Sequence, residues 1–246
     1  MEKLKIICLL ALFGCSQQTE RLHISGLAMT MPYTVQITAK PSDKKAITQT
    51  INRVFDHIDT TYNRWNPRSH FEYDAPLIAI SQSVKELTEG AFDPLFSGTW
   101  DFDGIVKGYA VDLIAESLEK EGFCNFYVEW AGEIVCRGRS SPERPWRVAI
   151  NGTDQIVDLC DQAIATSGDT FHREVIDQKV ITHIYDPHHS QFLEVTEGSI
   201  AFVTVRAPTC HLADALATAA MVNPELVLEI CERKPGVDIW IYRHPK

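Results

Sequence analysis

Apolar residues recur at helical spacing over 44–62, where Ile47, Ile51, Val54, Phe55 and Ile58 fall on one face. The same period predicts helices over 76–88, 212–222 and 224–234, and over 109–120 with Val111, Ile114, Ala115 and Leu118 turned inward. Alternation with period two predicts strands over 31–38, through Tyr33, Val35 and Ile37, and over 198–207, around Ile200, Phe202, Val203 and Val205. Shorter runs predict strands over 126–135, 146–150, 155–164, 179–185 and 237–242. The polar, proline-containing stretch 63–74 is a predicted loop, and 90–104 a turn-rich segment. Helices come in clusters and strands in runs. The expected class is therefore α+β, with helices packed on mixed or antiparallel sheets in a single compact domain of two lobes.

The chain has 246 residues, enough for one substantial core. Its net charge of −10 and lack of any basic run argue against general nucleic-acid binding, which needs clustered Lys and Arg against phosphate. The N-terminus stands apart. Lys3 and Lys5 precede an apolar run over 6–13, too short to cross a bilayer, and Gly14-Cys15 leads into a polar stretch. This order resembles a secretory leader ending in a bacterial lipobox, in which Cys15 takes the lipid and becomes the mature N-terminus. The expected organisation is a lipoprotein signal peptide over 1–15, a tether over 16–24 and one domain over 25–246. The lipid would hold the protein at a bacterial membrane, facing the periplasm. Cys124, Cys136, Cys160, Cys210 and Cys231 are odd in number and show no C-x-x-C spacing, which argues against a zinc site or a disulfide framework. Each is expected to be a small buried hydrophobe, with one disulfide left open.

Three segments carry candidate chemistry. The run from Asp101 through Asp103, Gly104, Lys107 and Gly108 to Asp112 sets carboxylates, a glycine and a lysine before a helix. Helix-start amides and a lysine suit a phosphate or an electron-rich ring, though a charged loop capping the helix has the same look. Asp214 and Thr218 lie four apart on a predicted helix and share a face, offering a carboxylate and a hydroxyl to a hard cation such as Mg²⁺. Cys210 and His211 lie nearby but have no partner for a softer metal. The third is Ala165-Thr166-Ser167-Gly168-Asp169, followed by Thr182-His183-Ile184-Tyr185-Asp186-Pro187. There His183, with Asp186 beside it, is a candidate proton acceptor.

Taken together and in order, these segments resemble the ApbE family, the FAD:protein FMN transferases. The resemblance covers nearly the whole mature chain. Gly26 to Tyr33 is similar to the family's G-x-T-M-G-T-x-Y, and Asp59 to Tyr62 with Ser69 to its flavin-contacting tyrosine loop. Gly90-Ala91-Phe92-Asp93-Pro94 matches G-x-F-D-P, and 101–112 matches D-x-G-G-I-A-K-G-Y-A-V-D. Ala131-Gly132-Glu133 stands where G-G-D is usual. Residues 165–169, 183–187 and 213–218 match A-T-S-G-D, H-I-x-D-P and A-D-A-L-A-T.

The resemblance implies an ApbE-like flavin transferase fold that contacts FAD through Met29, Tyr62, Ala91, Phe92, Asp93, Asp101, Lys107 and Ile184. It implies Mg²⁺ held by the Gly104 carbonyl, Asp214 and Thr218, with the Ala217 backbone. His183 is the implied base and Asp169 the next candidate. FAD is the implied substrate. FMN would pass to a threonine of partner subunits of membrane redox complexes, and AMP would leave. Thr30 and Met31 depart from the family's Gly-Thr pair, Asp103 replaces a glycine, and 95–100 is shorter than usual. The rival readings are a metal-dependent FAD pyrophosphatase, a non-catalytic flavin-binding lipoprotein and a structural surface lipoprotein.

Overall fold

The computed structural model describes residues 18–69, 75–169 and 173–245, so the leader and Cys15 lie outside the described residues. The alternation that marks 31–38 has a partner on its N-terminal side. β1 (Glu20–Ala28) pairs antiparallel with β2 (Met31–Ala39), and Leu22, Ile24, Tyr33, Val35 and Ile37 point into the core. The expected tether over 16–24 is therefore corrected: from Glu20 onward it is strand, because Leu22 and Ile24 bury their side chains on a complete ladder. Met29 and Thr30 close this hairpin at φ of 47° and 68°, as a primed two-residue turn requires.

Three helices follow: α1 (Lys44–Thr61), α2 (Ala75–Leu87) and α3 (Val106–Lys120). α3 starts three residues before its expected position, so Lys107 and Gly108 belong to its first turn. Next come β3 (Phe126–Trp130), β4 (Glu133–Arg137), β5 (Trp146–Ala149), β6 (Ile156–Leu159) and β7 (Gln162–Gly168). The single strand expected over 126–135 is a hairpin, turned at Ala131 and Gly132 with φ of 55° and 101°. The strand expected over 155–164 likewise divides, at Asp161 with φ 53°. In both cases a residue other than glycine sits in the left-handed region, and the apolar pattern alone does not mark the turn. β8 (Arg173–Ile176), β9 (Lys179–Asp186), β10 (Gln191–Glu194) and β11 (Ile200–Ala207) precede α4 (Cys210–Val222), α5 (Pro224–Arg233) and β12 (Asp238–Arg243).

Seven strands form one sheet in the order β1-β2-β3-β4-β7-β11-β12. Among the described residues every pairing is antiparallel, so the sheets are not mixed. β10-β9-β8 and β5-β6 form two small sheets. Side chains alternate across the main sheet. Val135 joins the core shared with α1, α3 and α4, whereas Ile134 and Cys136 face a second core with Trp146, Val148 and Leu159 of the β5-β6 hairpin. The expected two lobes are thus two layers on opposite faces of one sheet.

α4 is alanine-rich, with Ala213, Ala215, Ala217, Ala219 and Ala220 all buried. Small side chains let it lie close to β7 and β11. It also runs antiparallel along the start of α3. Thr218 faces Gly104, Asp214 accepts from the Gly108 amide at 3.0 Å, and Asp112 accepts from the Cys210 and His211 amides at 2.9 and 2.8 Å. Each helix lends a carboxylate to the other's N-terminal turn, where backbone amides lack an intrahelical acceptor. A side chain at Gly108 would collide with the Cys210 carbonyl.

Among the described residues the five cysteines are free, so no disulfide forms between them. Cys136 and Cys210 are buried as expected, and burial pushes both thiols up. Cys124 and Cys160 are exposed because they sit in connections rather than on inward-facing strand positions.

Gly108→Ala is expected to destabilise the protein by about 1–3 kcal/mol, the usual cost of overpacking a tight contact. A thermal melt checks this, and a melting temperature equal to wild type would contradict the close approach of α3 and α4.

Candidate functional site

One end of the main sheet gathers the residues singled out in the sequence. The β1-β2 turn (Met29, Thr30), the β3-β4 turn before Glu133 and the C-terminal end of β7 (Ser167, Gly168) lie side by side there. Neighbouring tips are tied: Ala131 N donates to Pro32 O at 3.2 Å, and Trp130 Nε1 donates to Ala28 O at 3.3 Å. The α3–α4 contact supplies the other wall.

Lys107 is the charged centre. Its Nζ lies 3.1 Å from Glu133 Oε1 and 3.6 Å from Asp214 Oδ1, and donates to Asp103 O at 3.3 Å. Burial alone would lower the Lys107 ammonium, but Asp214 and then Glu133 outweigh it and raise it above the ordinary lysine value. Burial pushes the Glu133 carboxyl up, while Lys107 draws it back. Two nearly inaccessible carboxyl groups thus flank one ammonium.

Around it stand oxygen donors. Thr218 Oγ1 meets Ser167 Oγ at 2.9 Å, and a methyl placed on Gly104 would stand 3.1 Å from the same Thr218 oxygen. Gly104 therefore permits a carbonyl-bearing loop to approach the hydroxyl face of α4. Phe92 packs under that loop, and Ala91 is buried beside it. Asp214, Thr218 and the Gly104 carbonyl form a set of hard donors whose chemistry fits Mg²⁺. Ala217 is buried in the same helical turn. Among the described residues no three His, Cys, Asp or Glu side chains cluster in a metal-holding arrangement, so one carboxylate with neutral oxygens is the donor set available. The α3 start is no open anion site: its Gly108 amide goes to Asp214 and its Val106 amide to Phe102 O.

A cavity of about 110 Å³ lies beside the Gly104 loop, lined by Tyr62, Arg64, Ser69, Trp100, Asp101 and Asp103. It unites the expected tyrosine loop with Asp101. The Tyr62 ring packs edge-on against Phe102 and Tyr109. Arg64, which the sequence reading did not mark, spans Asp101 at 2.6 Å and Asp103 at 2.8 Å. The short 95–100 segment closes as a loop, with Asp101 N donating to Pro94 O at 2.8 Å. Asp93 pairs with Lys85 at 2.8 Å. Met29 is half-buried at its turn, and Ile184 is buried in the core.

His183 is exposed on β9, within the electrostatic reach of Asp103. Asp186 is not its partner. Three residues on, it points to the other side of the strand and binds His189 Nδ1 at 2.7 Å. Asp169 is buried and engaged on both oxygens, by Arg173 Nη2 at 2.6 Å and His244 Nε2 at 2.7 Å. That makes it an anchor for the end of β7 rather than an open proton acceptor. His244 and the Asp112–His211 pair escaped the sequence reading because they form only across long sequence separations, whereas Arg173 lies only four residues from Asp169.

The fold is that of solved flavin transferases. The apo form of flavinyl transferase ApbE from Pseudomonas stutzeri superposes with a TM-score of 0.81 over 93% of both chains at 24% identity. The flavin transferase ApbE of Vibrio cholerae gives 0.75 over 92% of this chain and 97% of its own, at 22% identity. In sequence, the FAD:protein FMN transferase of Chlamydia pneumoniae is 32% identical over 89% of each chain. The ApbE family model matches residues 96–241. The chain belongs to the ApbE family.

Asp169→Ala is expected to cost about 2 kcal/mol of stability, since it removes the acceptor of the Arg173 guanidinium and of the His244 ring. His183→Gln, at an exposed position, should stay within about 0.5 kcal/mol of wild type. Denaturant titration of both variants checks the contrast, and equal stabilities would remove the anchoring role of Asp169.

Proposed function

We propose that this chain is a Mg²⁺-dependent FAD:protein FMN transferase. It moves FMN from FAD onto a threonine hydroxyl of partner proteins and releases AMP. The observation that carries this reading is the convergence of Lys107, Asp214, Thr218 and the Gly104 loop beside the cavity of Tyr62 and Asp101, with His183 within electrostatic reach of Asp103. The printed activity of the Chlamydia pneumoniae relative supports it.

The reaction exchanges one phosphorus–oxygen bond for another. Threonine Oγ bonds to the FMN-side phosphorus, the bond from that phosphorus to the bridging oxygen breaks, and the bridging oxygen departs with AMP. Bound Mg²⁺ supplies neutralisation of the pyrophosphate charge. Asp214, Thr218 and the Gly104 carbonyl would hold the ion. Tyr62, Asp101, Asp93 and the backbone at 91–92 hold the flavin nucleotide, with Met29 at the hairpin tip and Ile184 behind it. A threonine hydroxyl is a weak nucleophile, and the exposed imidazole of His183 takes its proton.

The partners in this reading are threonine-bearing subunits of membrane redox complexes. The leader and the Cys15 lipid would keep enzyme and acceptor on one periplasm-facing membrane, raising their effective concentration. Loss of membrane partitioning in Cys15→Ser tests the anchor, and unchanged partitioning would dismiss it.

Incubation with FAD, Mg²⁺ and a threonine-bearing acceptor, followed by mass spectrometry of the acceptor, tests the activity. FMN on the acceptor with AMP in solution is expected. Free FMN with an unmodified acceptor would instead make the protein a pyrophosphatase. Asp214→Ala and chelation should both abolish AMP release. His183→Gln should keep FAD affinity and slow single-turnover transfer by about 10²–10⁴-fold, the usual range for a general base. Weakened FAD binding with an intact transfer rate would take His183 out of the mechanism.

A further inference from the structure

Lys107 stands between two carboxylates but is not shared equally. Its Nζ is within hydrogen-bond reach of Glu133 Oε1 at 3.1 Å, whereas Asp214 Oδ1 stands off at 3.6 Å. Asp214 Oδ2 accepts the Gly108 amide, and among the described residues Oδ1 accepts no hydrogen bond. Glu133 is only 1% exposed, and its Oε2 has no hydrogen-bond partner.

Stability gives no reason for a carboxylate here. An apolar side chain of similar volume usually serves a buried position as well or better, and half of this carboxylate is left unsatisfied. Its placement is nonetheless tightly specified. The Ala131–Gly132 turn brings Glu133 in as the first residue of β4, opposite Trp130, pointing at the α3–α4 contact. Without Glu133, the nearest carboxylate left to the Lys107 ammonium is that of Asp214. An ammonium seated on Asp214 Oδ1 would compete directly with a divalent cation for that oxygen.

We propose that Glu133 is a positioning residue for the cation site: it holds the Lys107 ammonium aside and so keeps Asp214 Oδ1 open to the ion. This rests on the reading of Asp214 and Thr218 as cation ligands.

The test is calorimetric titration of the full chain with Mg²⁺ alone, without FAD. Glu133→Leu is expected to weaken Mg²⁺ binding about 10–100-fold, the usual effect of losing a group that orients a ligand. Glu133→Leu combined with Lys107→Met should recover most of that affinity, because no ammonium remains to occupy Asp214. A structural prop or a direct ligand at position 133 would show no such recovery. Wild-type affinity in Glu133→Leu, or a double variant no tighter than the single one, overturns the proposal while leaving the cation site standing. Absence of Mg²⁺ binding in the wild-type chain removes the site and this proposal with it. Circular dichroism checks folding. If Glu133→Leu does not fold, Glu133→Met, which matches glutamate in length, takes its place in both variants under the same criteria.

Discussion

The close antiparallel approach of α3 and α4 is the constraint on which the site depends. It is possible because position 108 has no side chain and because α4 is built from alanines where it meets the sheet. Once the two helices touch, their four-residue repeats fall into step. Gly104, Gly108 and Asp112 on one side meet Thr218, Asp214 and the Cys210–His211 amides on the other. The same contact that closes the core also sets Thr218 against Gly104 and Asp214 against Gly108. Packing and chemistry are thus set by one interface, and the catalytic consequence of loosening it follows directly.

The second constraint is electrostatic. Two nearly inaccessible carboxyl groups are held against a lysine whose side chain is 25% exposed. Such a cluster gives little net stability, because desolvation of the charges offsets their attraction. Its value lies in a fixed local field. The sheet end adds geometry: three tips at the same level form a floor, and the Gly104 loop with Arg64 forms one side. Thr30 and Asp103 both sit on this rim, Thr30 in the left-handed region at φ 68° and Asp103 tied to Arg64.

Periodicity made the helices legible, and 44–62 and 212–222 lie within a residue or two of their observed bounds. It also made legible the pairing of Asp214 with Thr218, since both facts follow from helical spacing. What it missed has physical reasons. Turns at Ala131–Gly132 and Asp161 hide inside continuous apolar runs. β1 has only two inward positions before its glycine, too few to signal alone. Asp186 appeared to partner His183 from their proximity in sequence, yet strand alternation sends them to opposite faces. His244 reaches Asp169 only because β7 and the chain terminus come together, whereas Arg173 lies four residues from it. Glu133 appeared as a conservative replacement, and only its burial against Lys107 reveals that it has work to do.

The central claim is that the α3–α4 contact holds a divalent cation beside Lys107. Diffraction from crystals soaked in Mn²⁺, recorded for anomalous scattering, tests it most directly. The account predicts an anomalous peak in coordination contact with Asp214, Thr218 and the Gly104 carbonyl, with Lys107 still on Glu133. A peak confined to other carboxylates, or an Asp214 carboxylate occupied by Lys107 with no metal beside it, would contradict it.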